Sequence, residues 1–399
     1  MQKIETISQP EARFRGSHEE IELSVVIPCL NEVQTLPLCI EKCLNSFKKL
    51  GLSGEIVVAD NGSTDGSAEI ATRLGARVVH ESKKGYGNAL IAGMKAVRGR
   101  WLVMGDADDT YDFSELDPFL QKLREGYDLV VGNRLTGGLK KDAMPWLNRH
   151  IGTPALTAVL RLFYRIDVKD SQCGMRALTR EAFQEMNLRC PGMEFASEML
   201  VKAALFRLKV ANIPIPYSMG VSSRTPHLRP FKDGWRHLKF LLIFSPTYLF
   251  FVPAFLLLVG GISILLLLLR YPTVHLFRLR METHWAIIGS ACVLLGSQIL
   301  SIFFSAKVLG LTRGYLPYDQ TTQRLYRTFR CEHGLLLGAA IFLVGWAIEC
   351  YILLKWAVAH FGPLYEFRLG IFGMTLIVVG LQTIFSSFFL SLLGHESSR

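Results

Sequence analysis

Four carboxylates, Asp106, Asp108, Asp109 and Asp112, crowd into the stretch that follows the apolar run Trp101–Met104. Like charges this close repel unless a cation or hydrogen-bond donors sit between them. Oxygen ligands of this kind suit a hard divalent ion, Mg²⁺ or Mn²⁺. The competing reading is an acidic turn facing water. Other residues able to do chemistry stand in similar places. Asn31 follows "SVVIPCL", Asp60 closes "IVVA", Lys84 precedes a glycine-rich turn, and Arg134 closes "LVVGN". Each alone is an ordinary strand-ending or loop residue. Together they need a frame that brings them to one edge.

That frame is legible in the hydrophobic period. "IELSVVIPCLNE" (Ile21–Glu32) reads as a strand stopped by Pro and Asn. Leu36, Ile40, Cys43, Leu44 and Phe47 follow at the spacing of one buried helix face. Ile56–Ala59 predicts a second strand ended by Asp60, with Thr64 as N-cap of a helix running through Ala71. "ARVVHE" is a third strand, "GYGNALIAGMKAVRG" a loop and helix, and the acidic strand the fourth. A helix opened by Ser114 and a fifth strand, "YDLVVGNR", complete the alternation. Such alternation predicts an α/β sandwich with a largely parallel sheet. Ligands of these sheets lie outside the carboxyl ends of the strands, where Asn31, Asp60, Asp106 and Asp108 all fall. "GYGNAL" lacks the last glycine of a dinucleotide fingerprint and follows the third strand, and the chain has no GxxxxGK[ST]. The alternative is a nucleotide-sugar site in which a metal on the acidic strand end holds the diphosphate.

"VVIPCLNE", "VVADNGSTDGS", "KGYGNA", "GDADD" and "VVGNR", in this order, resemble the family 2 glycosyltransferases of the GT-A fold. Within that family the sequence is similar to the polyprenyl-phosphate group (dolichol-phosphate mannose or glucose synthase-like), over roughly Leu23 to Tyr217. The resemblance implies that Pro28, Leu30, Asn31 and Glu32 line the nucleotide pocket and that Asp60 accepts hydrogen bonds from the base. It implies that Lys84, Gly87 and Asn88 continue that wall, glycine letting the backbone approach the nucleotide. Asp106 sits by the sugar or ribose and Asp108 binds the metal in this reading. A Gln often found two residues after the second Asp is Thr110 here, so the third ligand is Asp109, Thr110 or water. Arg134 is assigned to phosphate, which arginine grips bidentately.

From Thr136 to Val168 basic residues mix with large apolar ones. Trp146, Leu147, Ile151, Leu156, Val159, Leu160 and Phe163 form one helical face, with Arg149, His150, Arg161 and Arg165 on or beside the other. This predicts a basic amphipathic helix in the membrane interface, against the alternative of an ordinary core helix. "DSQCGMRAL" matches the family's Asp…Gly-aromatic-Arg segment with Met175 in the aromatic place. The resemblance makes Asp170 and Arg176 candidates for the sugar and acceptor pocket. Glu194 and Glu198 share a helix face that is either solvated or, by the resemblance, near the transferred sugar. "KVANIPIPYSMG" is an edge strand because of Pro214 and Pro216. Arg224, Arg229 and Lys232 follow in a basic loop suited to phosphate.

The expected organisation is a tail (1–20), a GT-A domain (21–235) and an all-α membrane domain (236–399). Its four apolar stretches, Leu241–Leu269, Trp285–Leu309, Gly334–Val358 and Leu369–Leu393, each approach or exceed the ~20 residues that span a bilayer. Lys307, Arg313, Arg324, Arg327 and Arg330 make one connection basic and place it, with the catalytic half, in the cytosol. Arg270, Arg278 and Arg280 on the other side weaken the asymmetry. The N-terminal stretch has no apolar core and is not a signal peptide. The eight cysteines show no CxxC pair and fit a reducing compartment. A formal charge of +10 comes with no nucleic-acid-binding signature, so anionic lipid and phosphate are the expected partners. The location is a multi-pass membrane protein of a bacterial inner membrane. Glu349 inside the third span, and Gly260, Gly261 and Gly289, are candidates for oligomer or lipid contacts.

The implied reaction moves a hexose, glucose favoured, from a UDP- or GDP-linked donor to a polyprenyl phosphate with inversion. Catalysis falls to Asp106, Asp108, Arg134 and Glu198, and the acceptor phosphate to Arg134, Arg149, Arg176 and Arg224. An acceptor phosphate largely ionised at pH 7 needs no general base. Two rivals stand beside it: a processive polysaccharide synthase, whose QxxRW motif is absent, and a non-catalytic membrane scaffold.

Overall fold

Leu23, Val25, Val26 and Ile27 are shielded on both faces of strand β1 (Leu23–Cys29), as a continuous β-branched run in mid-sheet requires. In the computed structural model, which describes residues 21–140, 143–219, 230–271, 273–276, 279–312 and 331–395, this strand pairs in parallel with β2 (Gly54–Asp60) and β4 (Trp101–Met104). The 1–20 tail, the loop carrying Arg224 and Arg229, and the connection carrying Arg313, Arg324, Arg327 and Arg330 lie outside the described residues.

The remaining strands are β3 (Arg77–His80), β5 (Leu129–Asn133), β6 (Arg176–Thr179) and β7 (Val210–Pro214), in the order β3-β2-β1-β4-β6-β5-β7. The sheet is parallel except for β6, which runs antiparallel between β4 and β5. β3 and β7 are the edge strands, β7 closed by Pro214.

The connecting helices are amphipathic, with shifts at their starts. α1 (Leu36–Leu50) buries Leu36, Cys39, Ile40, Cys43 and Phe47, while Leu44 lies at the stripe's edge and is 37% exposed. α2 (Ser67–Arg73) begins after Gly66 rather than at Thr64, and the amide and hydroxyl of its first residue, Ser67, donate to Asp65. α3 spans Tyr86–Ala96. α4 (Asp117–Arg124) starts three residues later than Ser114, whose amide and hydroxyl turn back to Asp112. A π-turn (Asn148–Gly152) leads into α5 (Thr153–Tyr164), followed by α6 (Arg180–Met186), α7 (Phe195–Leu205) and α8 (Pro230–Ile243).

The chain divides into two compact units, Met1–His237 and Leu238–Arg399. The second holds four helices long and apolar enough to cross a bilayer: Thr247–Arg270, Thr283–Thr312, Cys331–Val358 and Phe367–Gly394. The first starts later than Leu241, since Pro246 separates it from α8. A short hairpin, Val274–Leu276 with Leu279–Met281, joins spans one and two. Gly261 meets Gly289 across spans one and two, and Gly338 and Gly345 meet Gly380 and Gly373 across spans three and four, at distances a side chain would block. Ser290–Thr375, Ser297–Gln382 and Ser301–Ser386 hydrogen bonds tie spans two and four.

Candidate active site

The carboxyl ends of β2, β1 and β4 form one edge, because register pairs Cys29 with Asp60 and Val26 with Met104. Asp60 is buried there and accepts from the amides of Gly62 (3.2 Å) and Ser63 (3.0 Å), with His80 Nδ1 3.1 Å away. Burial alone raises its pKa, but these hydrogen bonds outweigh it and hold the carboxyl below its usual range. Ser63 ties this turn to β1, its hydroxyl accepting from the Asn31 amide at 3.0 Å. Asn31 has φ 58° and receives the Thr64 amide at 2.8 Å. The Glu32 amide donates to Ser67, and its carboxylate accepts from Thr35. Pro28 is half-buried within β1, and Leu30 is 46% exposed beyond the strand end. Lys84 donates to the Asn61 carbonyl at 2.8 Å, and the Asn61 side chain organises Glu81, Lys83 and Gly85. Asn61 was missed by the sequence reading, although its place directly after Asp60 marks it.

The second half of the site surrounds Asp106. Tyr86, the aromatic of "KGYGNA", donates its hydroxyl to Asp106 Oδ1 at 2.8 Å, a partner that spacing alone did not indicate. Gly174 lets the other oxygen in: a Cβ there would lie 2.8 Å from Asp106 Oδ2. Burial pushes the Asp106 carboxyl up to about 7, and the Asp108 charge adds to this against the Tyr86 hydrogen bond and Arg134. The fields of Asp108, Arg134 and Glu32 all reach Asp106, so the structure brings these expected residues together. Replacing Tyr86 by Phe removes a hydrogen bond to a charged group, typically ~1.5–3 kcal/mol, and should lower kcat/KM by about 10- to 100-fold without changing the fold. Steady-state kinetics beside a circular dichroism spectrum checks this.

Other expected residues have partners within the protein. Asp109 adopts φ 60° and pairs its carboxylate with Lys42 at 2.7 Å. Thr110 gives both its amide (3.1 Å) and its hydroxyl (2.6 Å) to Asp108 Oδ1, fixing that carboxylate. Arg134 is buried in a two-pronged pair with Asp170 (2.8 and 2.9 Å), its guanidinium 5.1 Å from the Tyr217 ring centre. Arg176 is fully buried and donates to the carbonyls of Cys173, Ser171 and Ala196, so it braces a loop.

Glu198 is 1% exposed, accepts from the amides of Arg189 and Cys190, and pairs with Lys202 at 2.9 Å. Its oxygens hold the 189–190 backbone. Gly87 is small for the same loop: a Cβ there would lie 2.0 Å from the Cys190 carbonyl, so the close approach is to protein and not to a nucleotide. Asn88 donates to the Lys84 carbonyl, and its amide reaches Pro191. Gly87→Ala should destabilise the protein by about 1–3 kcal/mol through overpacking, measurable by denaturant unfolding. Arg149 is exposed on the π-turn, and Arg224 lies outside the described residues.

No group of three or more His, Cys, Asp or Glu among the described residues converges as a metal cage. Mg²⁺-type ions at diphosphate sites are held by one or two carboxylates plus the phosphates themselves. Asp106 and Asp108, close enough to raise one carboxyl, fit that donor set.

Residues 24–186 match the description Glycosyl transferase family 2, and residues 304–394 match the family 2 C-terminal transmembrane region. The low-salt glycan biosynthesis hexosyltransferase Agl6 of Haloferax volcanii is 37% identical over 375 residues, covering 94% of this chain and 89% of that protein. The chain belongs to glycosyltransferase family 2. It is a membrane glycosyltransferase with a soluble catalytic domain, and the scaffold reading is set aside. A dolichyl-phosphate hexose transferase of the same organism is 34% identical over 196 residues, covering 49% of this chain and 82% of that protein. Glucosyl-3-phosphoglycerate synthase of Mycobacterium tuberculosis, solved with Mn²⁺, UDP-glucose and phosphoglyceric acid, is 24% identical, covers 56% of this chain and 77% of that one, and has a TM-score of 0.42.

Proposed function

We propose that this glycosyltransferase moves a hexose, glucose favoured, from a UDP- or GDP-linked donor to a polyprenyl phosphate at the cytosolic membrane face. The observation that carries the acceptor is α5 with its π-turn. Trp146 (67%), Ile151 (51%) and Leu162 (63%) are exposed beside the exposed basic residues Arg149, His150, Arg161 and Arg165. Only Leu160, Thr153 and Thr157 of this segment are buried, so the helix keeps one face in the domain and offers apolar and basic groups on the other. That pattern suits a membrane interface carrying a lipid phosphate. The dolichyl-phosphate relative agrees with this acceptor class.

Asp108, with Asp106, would hold Mg²⁺ or Mn²⁺, which neutralises the diphosphate as it leaves. Asn31, Glu32, Asp60 and Lys84 shape the nucleotide side, and Arg134, fixed by Asp170, contributes positive field beside Asp106. Arg149 is the remaining described candidate for the acceptor phosphate. Alignment of two bound phosphates is what the protein supplies, in a single inverting displacement.

The test uses full-length protein in detergent with Mn²⁺ or Mg²⁺, a short polyprenyl phosphate and labelled UDP- and GDP-sugars. Label entering the organic phase from one donor supports the reading and names the sugar. Donor consumption without lipid labelling overturns the acceptor.

A further inference from the structure

Glu349 is the acidic residue in the apolar interior of the third span, Cys331–Val358. It lies nine residues before the helix end, about 14 Å at 1.5 Å per residue. The whole helix is about 42 Å long against a ~30 Å hydrocarbon core, which puts Glu349 about 8 Å inside when the helix is centred. Its Oε1 is shielded from solvent and has no hydrogen-bond partner among the described residues. Gly373 of the fourth span makes room for it, since a Cβ there would lie 2.5 Å from that oxygen.

The carboxylate lines a cavity of about 460 Å³ together with Ser290, Ile352, Glu366, Phe367 and Met374. Glu366, at the turn between spans three and four, is paired with Lys355, and the Ser290 hydroxyl bonds Thr375. Lys355 is thus taken up by Glu366, and Glu349 Oε1 has no partner among the described residues. A carboxylate kept inside a membrane faces a partner, and here the missing partner is one positive charge bearing hydrogen-bond donors.

We propose that this cavity binds the protonated primary amine of a membrane lipid headgroup, with Glu349 receiving the ammonium and the apolar wall covering the adjoining methylenes. The cavity reaches from the turn at Leu364 and Glu366 down to Glu349, the path from headgroup level into the bilayer. Arg368 at the start of span four donates to Leu268 at the end of span one, so this turn lies at the membrane face opposite the start of span one.

A free amine offers the same chemistry, so the experiment separates the two sources. Full-length protein in detergent is titrated with phosphatidylethanolamine, phosphatidylglycerol and phosphatidylcholine of identical chains, and with soluble phosphoethanolamine, reading native mass spectra and Tm. The expected result is preferential retention of phosphatidylethanolamine and a raised Tm. Glu349→Gln should weaken that binding at least about tenfold, the effect of losing one partner of a buried charge pair. Met374→Trp, which narrows the cavity without touching Glu349, should also weaken it, and both variants should keep sugar transfer at the parent level. Equal binding of all three lipids, or full phosphatidylethanolamine binding by Glu349→Gln, overturns the proposal. Phosphoethanolamine binding as tightly as the lipid overturns the lipid assignment.

Discussion

Asp108→Ala should lower sugar transfer at least about 10³-fold, the upper range for loss of one preorganised electrostatic group, while the protein still unfolds cooperatively. Thr110 holds one Asp108 oxygen through two hydrogen bonds, which fixes the direction of the other. Asp106 beside it is raised to about 7 chiefly by burial, and the Asp108 charge adds to this, so two carboxylates crowd one strand end. Such concentration is relieved when a cation and a diphosphate arrive together. Asp108→Asn keeps the size and the turn but removes the charge. It should be nearly as inactive as the Ala variant, and parent-level transfer by Asn would sink the charge argument. The readout is label in the lipid phase at saturating donor and metal.

Asp170→Ala should cost about 3–5 kcal/mol of stability, because it strands a buried guanidinium. Asp170 has no exposed surface, and it meets Arg134 through both the Nε and the Nη2 of the guanidinium. Urea unfolding of the first variant measures the loss, and transfer should fall with it. Pairing Arg134→Met with Asp170→Leu restores apolar packing and should recover most of the stability. Transfer should stay lost in that double variant, since the positive field beside Asp106 is gone. A double variant that regained transfer would show Arg134 to be structural only.

The sequence by itself determined strands β1 to β5 and β7, the placement of acids at strand ends and the apolar spans, but not β6 (Arg176–Thr179), too short to show a period of its own. These rest on short-range period and composition: Val25 to Ile27 cannot avoid a buried strand, and the long apolar runs cannot avoid a bilayer-sized helix. The family motifs were equally local, each a turn held by its own residues, as Asp60 is by Gly62 and Ser63. Only the tertiary structure decided what each of several similar side chains meets. Asp109 and Asp108 are adjacent carboxylates, yet one φ in the left-handed region sends Asp109 to Lys42. Arg134 and Arg176 read alike in sequence, but the antiparallel β6 buries Arg176 among loop carbonyls and leaves Arg134 beside Asp106. Glu198 and Gly87 looked functional and instead hold the turn at Cys190, while Tyr86 looked incidental and holds Asp106. Periodicity states which face a residue occupies. What it meets there depends on segments up to a hundred residues away, brought in by packing that no local pattern encodes.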